Sequence, residues 1–115
     1  MASTSVRMVL SWSVPYFKSP VVVSALQALM LTRRSEPGCA RCKLSTDAHT
    51  PAEITIRYVE EWSSEEHLAE QLRSGRLTAL AELMERATKD PTIQFVLPGA
   101  IRGMDYAEEV RSSAR

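Results

Sequence analysis

Few side chains in this sequence can do chemistry, and their spacing limits what that chemistry is. Glu60-Glu61-Trp62 closes a stretch, Glu53 to Trp62, in which apolar and polar residues alternate. By that alternation Glu60 shares a face with Ile54, Ile56, Tyr58 and Trp62. A carboxylate there stands either at a solvated strand end or in a pocket, where it can act as a general base. Trp62 and Trp12 offer flat apolar walls, and a buried indole N–H needs a partner. Tyr58 and His67 can hydrogen-bond an oxygen. His67 precedes Leu68 in the first turns of a helix, either exposed or bordering a cavity between helix and sheet. His49 lies in a polar loop before Pro51 and reads as a surface residue. Two histidines so far apart make no metal signature.

Cys39-Ala40-Arg41-Cys42 is a CxxC. A redox CxxC places its first thiol at a helix N-terminus, whereas this one reads as extended. Residues three apart in a regular strand face opposite ways at about 10 Å, and a disulfide needs Cα atoms within about 7 Å. Structural cysteines are therefore expected, with a thiol-redox role as an alternative. Two thiols are too few to hold zinc. No GxSxG, P-loop, HExxH or dinucleotide fingerprint occurs.

The elements that must carry these residues follow from periodicity. Val6 to Val14 alternates, with Val6, Met8, Leu10, Trp12 and Val14 on one face. Ser19-Pro20 starts a helix on which Val22, Val23, Leu26, Leu29, Met30 and Arg33 follow helical spacing, and Arg33 and Arg34 suit the C-terminal dipole. Pro37-Gly38 is a turn. Cys39 to Asp47 reads as a second strand and Glu53 to Trp62 as a third. Ser63 with Glu66 forms a capping box for a helix carrying Leu68, Ala69 and Leu72. Gly75 interrupts it, and Arg76 to Thr88 resumes with Leu77, Leu80, Ala81 and Met84. Thr92 to Leu97 is a fourth strand, Gly99 to Gly103 a linker, and Asp105 to Arg111 a last short helix. Two strand–helix–strand units around a central hairpin make an α+β, ferredoxin-like split β-α-β domain over residues 6–97, followed by a tail with a short helix over 98–115.

At 115 residues the chain fits one domain. Fourteen basic residues balance fourteen acidic ones, so no basic footprint for nucleic acid or an anionic membrane exists. The apolar run Val21 to Leu31 is broken by Ser24 and Gln27 and is too short to span a bilayer. The polar start, Met1 to Arg7, does not read as a signal peptide. Two cysteines make no disulfide framework, so a reduced, cytoplasmic setting is expected. One layer of helices cannot cover both faces of a sheet. The outer face mixes Val9 and Val59 with Arg7, Thr55 and Arg57, and leaves its burial open.

"EPGCARCKLSTD" followed by "ITIRYVEEWSSEEHLAEQLRS", over Glu36 to Ser74, resembles the antibiotic biosynthesis monooxygenase domain family. That family shows a PGC-type turn into a strand, a strand ending acidic-acidic-Trp, then a capped helix with a leucine pair. The tail "IRGMDYAEEVR" is similar to a subset of it. The resemblance implies a protomer that forms a homodimeric α+β barrel with a pocket between each sheet and its helices. It implies a cofactor-independent monooxygenase acting on a phenolic or quinol-type aromatic with molecular oxygen; because fold does not fix function, a non-catalytic small-ligand-binding dimer is the alternative. Trp62 maps onto the family's pocket through the acidic-acidic-Trp run. Many relatives carry His where this chain has Gln71. Haem-cleaving relatives place an iron-binding His in the second helix piece, and Arg76 to Thr88 holds none, so a haem reading would need His67 or His49.

With no flavin or metal motif in the sequence, an oxygenase of this kind draws its electrons from the substrate. A free phenol has a pKa of about 10 and must be deprotonated first. Glu60 is the expected base. Trp12 and Trp62 would orient the ring, and Tyr58 and His67 would bond a substrate oxygen or the nascent peroxide.

Overall fold

Strict alternation with β-branched residues builds the centre of the sheet. β1, Val6–Pro15, pairs antiparallel with β3, Glu53–Trp62, over its whole length. The structure, a computed structural model, describes residues 5–48, 50–85 and 87–112, except the side chain of Arg76. The sheet order is β2-β3-β1-β4-β5, with β2 at Cys39–Asp47, β4 at Thr92–Leu97 and β5 at Ala100–Arg102. Among the described residues there are four α-helices: α1, Ser19–Arg34; α2, Glu65–Arg73; α3, Arg76–Met84; and α4, Met104–Ser112.

The inner face of the sheet carries Met8, Leu10, Trp12, Ile56, Tyr58, Trp62 and Phe95. Against it the helices bring Val22, Leu26 and Met30, then Leu68 and Leu72, then Leu77, Leu80 and Met84, and finally Tyr106 and Ala107. Removing this apolar area from water supplies the main drive to fold. Tyr106 donates to Glu65 at 2.8 Å and so ties α4 to α2. Among the described residues no helix is long and apolar enough to cross a membrane.

The α+β, split β-α-β expectation holds, with four local corrections. Residues 100–102, expected as linker, pair with β4 as a fifth strand. A 3-10 turn at Tyr16–Lys18 precedes α1, so Ser19 is the first helical residue and its hydroxyl bonds the Tyr16 carbonyl at 2.8 Å. The cap of α2 is Ser64, not Ser63: Ser64 Oγ accepts from His67 N–H at 3.2 Å. α3 ends at Met84 rather than near Thr88.

Candidate functional site

Glu60 sits at the penultimate inward position of β3, and Arg33 of α1 reaches it. It is 1% exposed. Of the two environments its spacing allowed, the structure has the buried one. A charge there is costly unless paired, and three donors meet it. Arg33, itself 3% exposed, donates Nε–H to Glu60 Oε2 at 3.0 Å. Tyr58 donates its hydroxyl to the same oxygen at 2.5 Å. Trp62 donates its indole N–H to Oε1 at 3.1 Å. The indole partner that a buried Trp62 requires is thus the carboxylate two residues back on the same strand face. Burial and the Glu60 charge push the Tyr58 hydroxyl well above the usual phenol range, which holds it as a donor.

A carboxylate has about four acceptor positions. Three are occupied here, and the open one is on Oε1. Glu60 borders a cavity of about 10 Å³ together with Met8, Arg33, Leu68, Gln71, Leu72, Leu77 and Leu80. That volume is about one water. Gln71 turns a buried Oε1 with no hydrogen-bond partner among the described residues. The site therefore joins a neutralised ion pair, one open carboxylate position and one unpaired amide oxygen inside an apolar wall.

The structure brings Glu60, Tyr58 and Trp62 together and leaves His67 and Trp12 apart from them. His67 lies at the start of α2 with its ring over the Gly38 turn, so close that a Cβ added at Gly38 would overlap the imidazole. His67 Nδ1 bonds Ser64 Oγ at 2.7 Å, and the residue does not line the cavity. Trp12 is a core residue, 3% exposed, whose indole N–H has no partner among the described residues. His49 falls outside the described residues. Arg33 was expected only to serve the helix dipole. Its signal was present, because it falls on the same stripe as Val22, Leu26 and Met30, where a cation must have a partner.

The CxxC departs from its expectation. The register runs Cys39 opposite Trp62, then Arg41 opposite Glu61, with Ala40 as the extra residue of a β-bulge. A bulge sets two residues against one. Cys39 and Cys42 consequently oppose Trp62 and Glu60, both inward-facing. Their Sγ atoms are 3.7 Å apart, not on opposite faces. Both cysteines are free thiols. Burial, with the Glu60 charge, raises Cys42 to about 12. Burial raises Cys39 as well.

A haem does not fit these residues. The cavity is of water size, and the described histidine is held by Ser64 over Gly38. Among the described residues no group of three or more His, Cys, Asp or Glu side chains is placed to hold a metal ion.

No protein-family model matches the chain, and no curated protein does. Solved structures do match. A conserved protein from Methanosarcina mazei Go1 superposes with a TM-score of 0.67 at 22% identity, covering 83% of this chain and 93% of that one. A candidate antibiotic biosynthesis monooxygenase from Caulobacter crescentus CB15 gives 0.67 at 16% identity, covering 85% and 92%. Another, from Deinococcus radiodurans, gives 0.64 at 21% identity, covering 83% and 93%. The sheet, its helices and the buried site they enclose are thus built on the ferredoxin-like α+β fold of structures named antibiotic biosynthesis monooxygenases.

Proposed function

We propose that this protein is a homodimeric monooxygenase that oxidises a phenolic or quinol-type aromatic with molecular oxygen and without an added cofactor. The observation that carries this reading is the buried Glu60, with one open acceptor position, bordering a largely apolar cavity. In the reaction, Glu60 Oε1 takes the phenolic proton. The phenolate passes electrons to oxygen; one oxygen atom enters the ring and the other leaves as water, so a phenol and O2 give a quinone and water. Arg33 keeps the site neutral before the transfer, and Tyr58 and Trp62 hold the carboxylate in place. His67 and Trp12, expected to contact substrate, would do so only after rearrangement.

The cavity admits about one water, so a ring enters only if α3 moves. Gly75, at φ +84° between α2 and α3, where an added Cβ would meet nothing within 4 Å, is the position where that movement can occur. The open sheet face, with Val9, Val59 and Val96 among polar residues, is the dimer surface. The unpaired Gln71 Oε1 at the cavity favours a second reading, a non-catalytic ligand-binding dimer.

Oxygen uptake with a panel of hydroquinones and polycyclic phenols, with no added metal or flavin, separates the two. Glu60→Gln should cut turnover at least tenfold. Because it strands Arg33, the charge-free Arg33→Met/Glu60→Gln variant is assayed beside it, with folding checked by circular dichroism. Wild-type turnover in the folded double variant would rule out the carboxylate as base. Uptake with no member of the panel, alongside measurable binding, would favour the ligand-binding reading.

A further inference from the structure

We infer that Cys39 and Cys42 form a reversible intramolecular disulfide, made by exchange with an anionic low-molecular-weight disulfide that docks at the outer edge of β2. The inference is independent of the oxygenase reading.

Three observations carry it. The bulge at Ala40 turns both thiols to one side and sets them 3.7 Å apart, so little movement is needed to reach a bond of about 2 Å. The two sulfurs differ in access: Cys39 is partly exposed and Cys42 is buried. An open cleft of about 320 Å³ lies in front of them, and Arg34 and Arg41 line it. Two guanidinium groups beside a thiol favour an oxidant that carries carboxylates.

The order of events follows from that asymmetry. The Cys39 thiolate attacks one sulfur of the small disulfide, and the first small thiol leaves with its electron pair. The Cys42 thiol then gives its proton to solvent and attacks Cys39 Sγ, releasing the second small thiol. Two electrons and two hydrogens pass from the protein to the oxidant, which becomes two thiols. Cys42 on its own is a poor entry point, because burial and Glu60 keep it protonated at neutral pH. Cys39 is raised as well, by its own burial first and by Glu60 on β3, while the Cys42 thiol and Arg33 on α1 favour its thiolate; its access to the cleft is what makes it the entry point.

The product would also reach the buried site. Cys42 Sγ lies 3.9 Å from the Tyr58 hydroxyl, which bonds Glu60. Forming the disulfide removes the Cys42 S–H from that chain, so Trp62 fluorescence is expected to shift on oxidation.

The test treats the native full chain with oxidised glutathione, quenches with an alkylating agent in denaturant so that buried Cys42 is also reached, and reads the intact mass. The wild type should lose two hydrogens and leave no alkylatable thiol, and added dithiothreitol should restore both. Cys42→Ser should stop at a mixed disulfide on Cys39. Cys39→Ser should react at least tenfold more slowly than Cys42→Ser. Cystamine, a cationic disulfide, should oxidise the wild type several-fold more slowly than oxidised glutathione. A wild type that halts at the mixed disulfide, or that keeps both thiols in the folded state, would overturn the pairing. Equal rates with the two oxidants would overturn the anionic class.

Discussion

Replacing Arg33 by methionine keeps most of the length and the apolar stem of the side chain and removes its charge. Arg33 and Glu60 are almost wholly withdrawn from water. Breaking a buried pair from one side costs about 3–5 kcal/mol, because the surviving charge is left uncompensated. Here Tyr58 and Trp62 still donate to the carboxylate, which favours the lower half of that range. With an unfolding entropy of about 2.1 cal/mol/K per residue, a chain of this size loses roughly 4 °C of Tm per kcal/mol. Arg33→Met should therefore lower Tm by roughly 12–16 °C. Glu60→Gln should do similar damage, since it strands the guanidinium. The double variant should not add the two costs. The glutamine that replaces Glu60 can accept from Trp62 through its amide oxygen, and its NH2 can donate to the Tyr58 oxygen. The methionine that replaces Arg33 needs no partner. The cycle, measured by urea unfolding, should show a coupling of about 2–3 kcal/mol between the sites. Additive costs in the double variant, or a loss below about 1 kcal/mol for Arg33→Met, would refute the view that this ion pair is one mutually dependent unit.

Gly38→Ala faces both a positive φ of 85° and a contact with the His67 ring. It should cost more than the ~1–2 kcal/mol of the backbone term alone, and Gly38→Ala/His67→Ala should recover only the steric part on thermal unfolding. Leu80→Ala, at a fully buried position beside the cavity, should destabilise by about 2–5 kcal/mol and allow a small phenol to bind by calorimetry where the wild type binds weakly. Cys42, raised to about 12, gains thiolate only as pH climbs toward that value. Iodoacetamide at a mildly alkaline pH of about 8, near the free thiol's own pKa, should therefore label Cys39 in the native protein and Cys42 only after unfolding, and rapid native labelling of Cys42 would contradict its burial. Val59→Asp on the open sheet face should halve the mass seen by light scattering at micromolar protein; an unchanged mass would place the dimer contact elsewhere.

The strands were legible because alternation is a local property. Glu53 to Trp62 and Thr92 to Leu97 alternate cleanly, and the structure has strands over those same residues. The face that Glu60 shares with Tyr58 and Trp62 was readable for the same reason. What the carboxylate does on that face was not. Its counter-ion comes from α1, twenty-seven residues earlier in the chain, and no period within β3 can say which helix supplies it. The apolar stripe of α1 did mark Arg33 as a cation in an apolar place, but only packing names its partner. The two thiols show the same division. A regular strand sends residues three apart to opposite faces, and the sequence carries no sign that Ala40 bulges. That bulge is settled by how β2 pairs with β3, with the adjoining Pro37-Gly38 turn held under His67. Sequence determines what each short segment can present. Which segments meet is decided by the docking of helices on the sheet, where burial of apolar area sets the geometry and the polar groups must find partners within it.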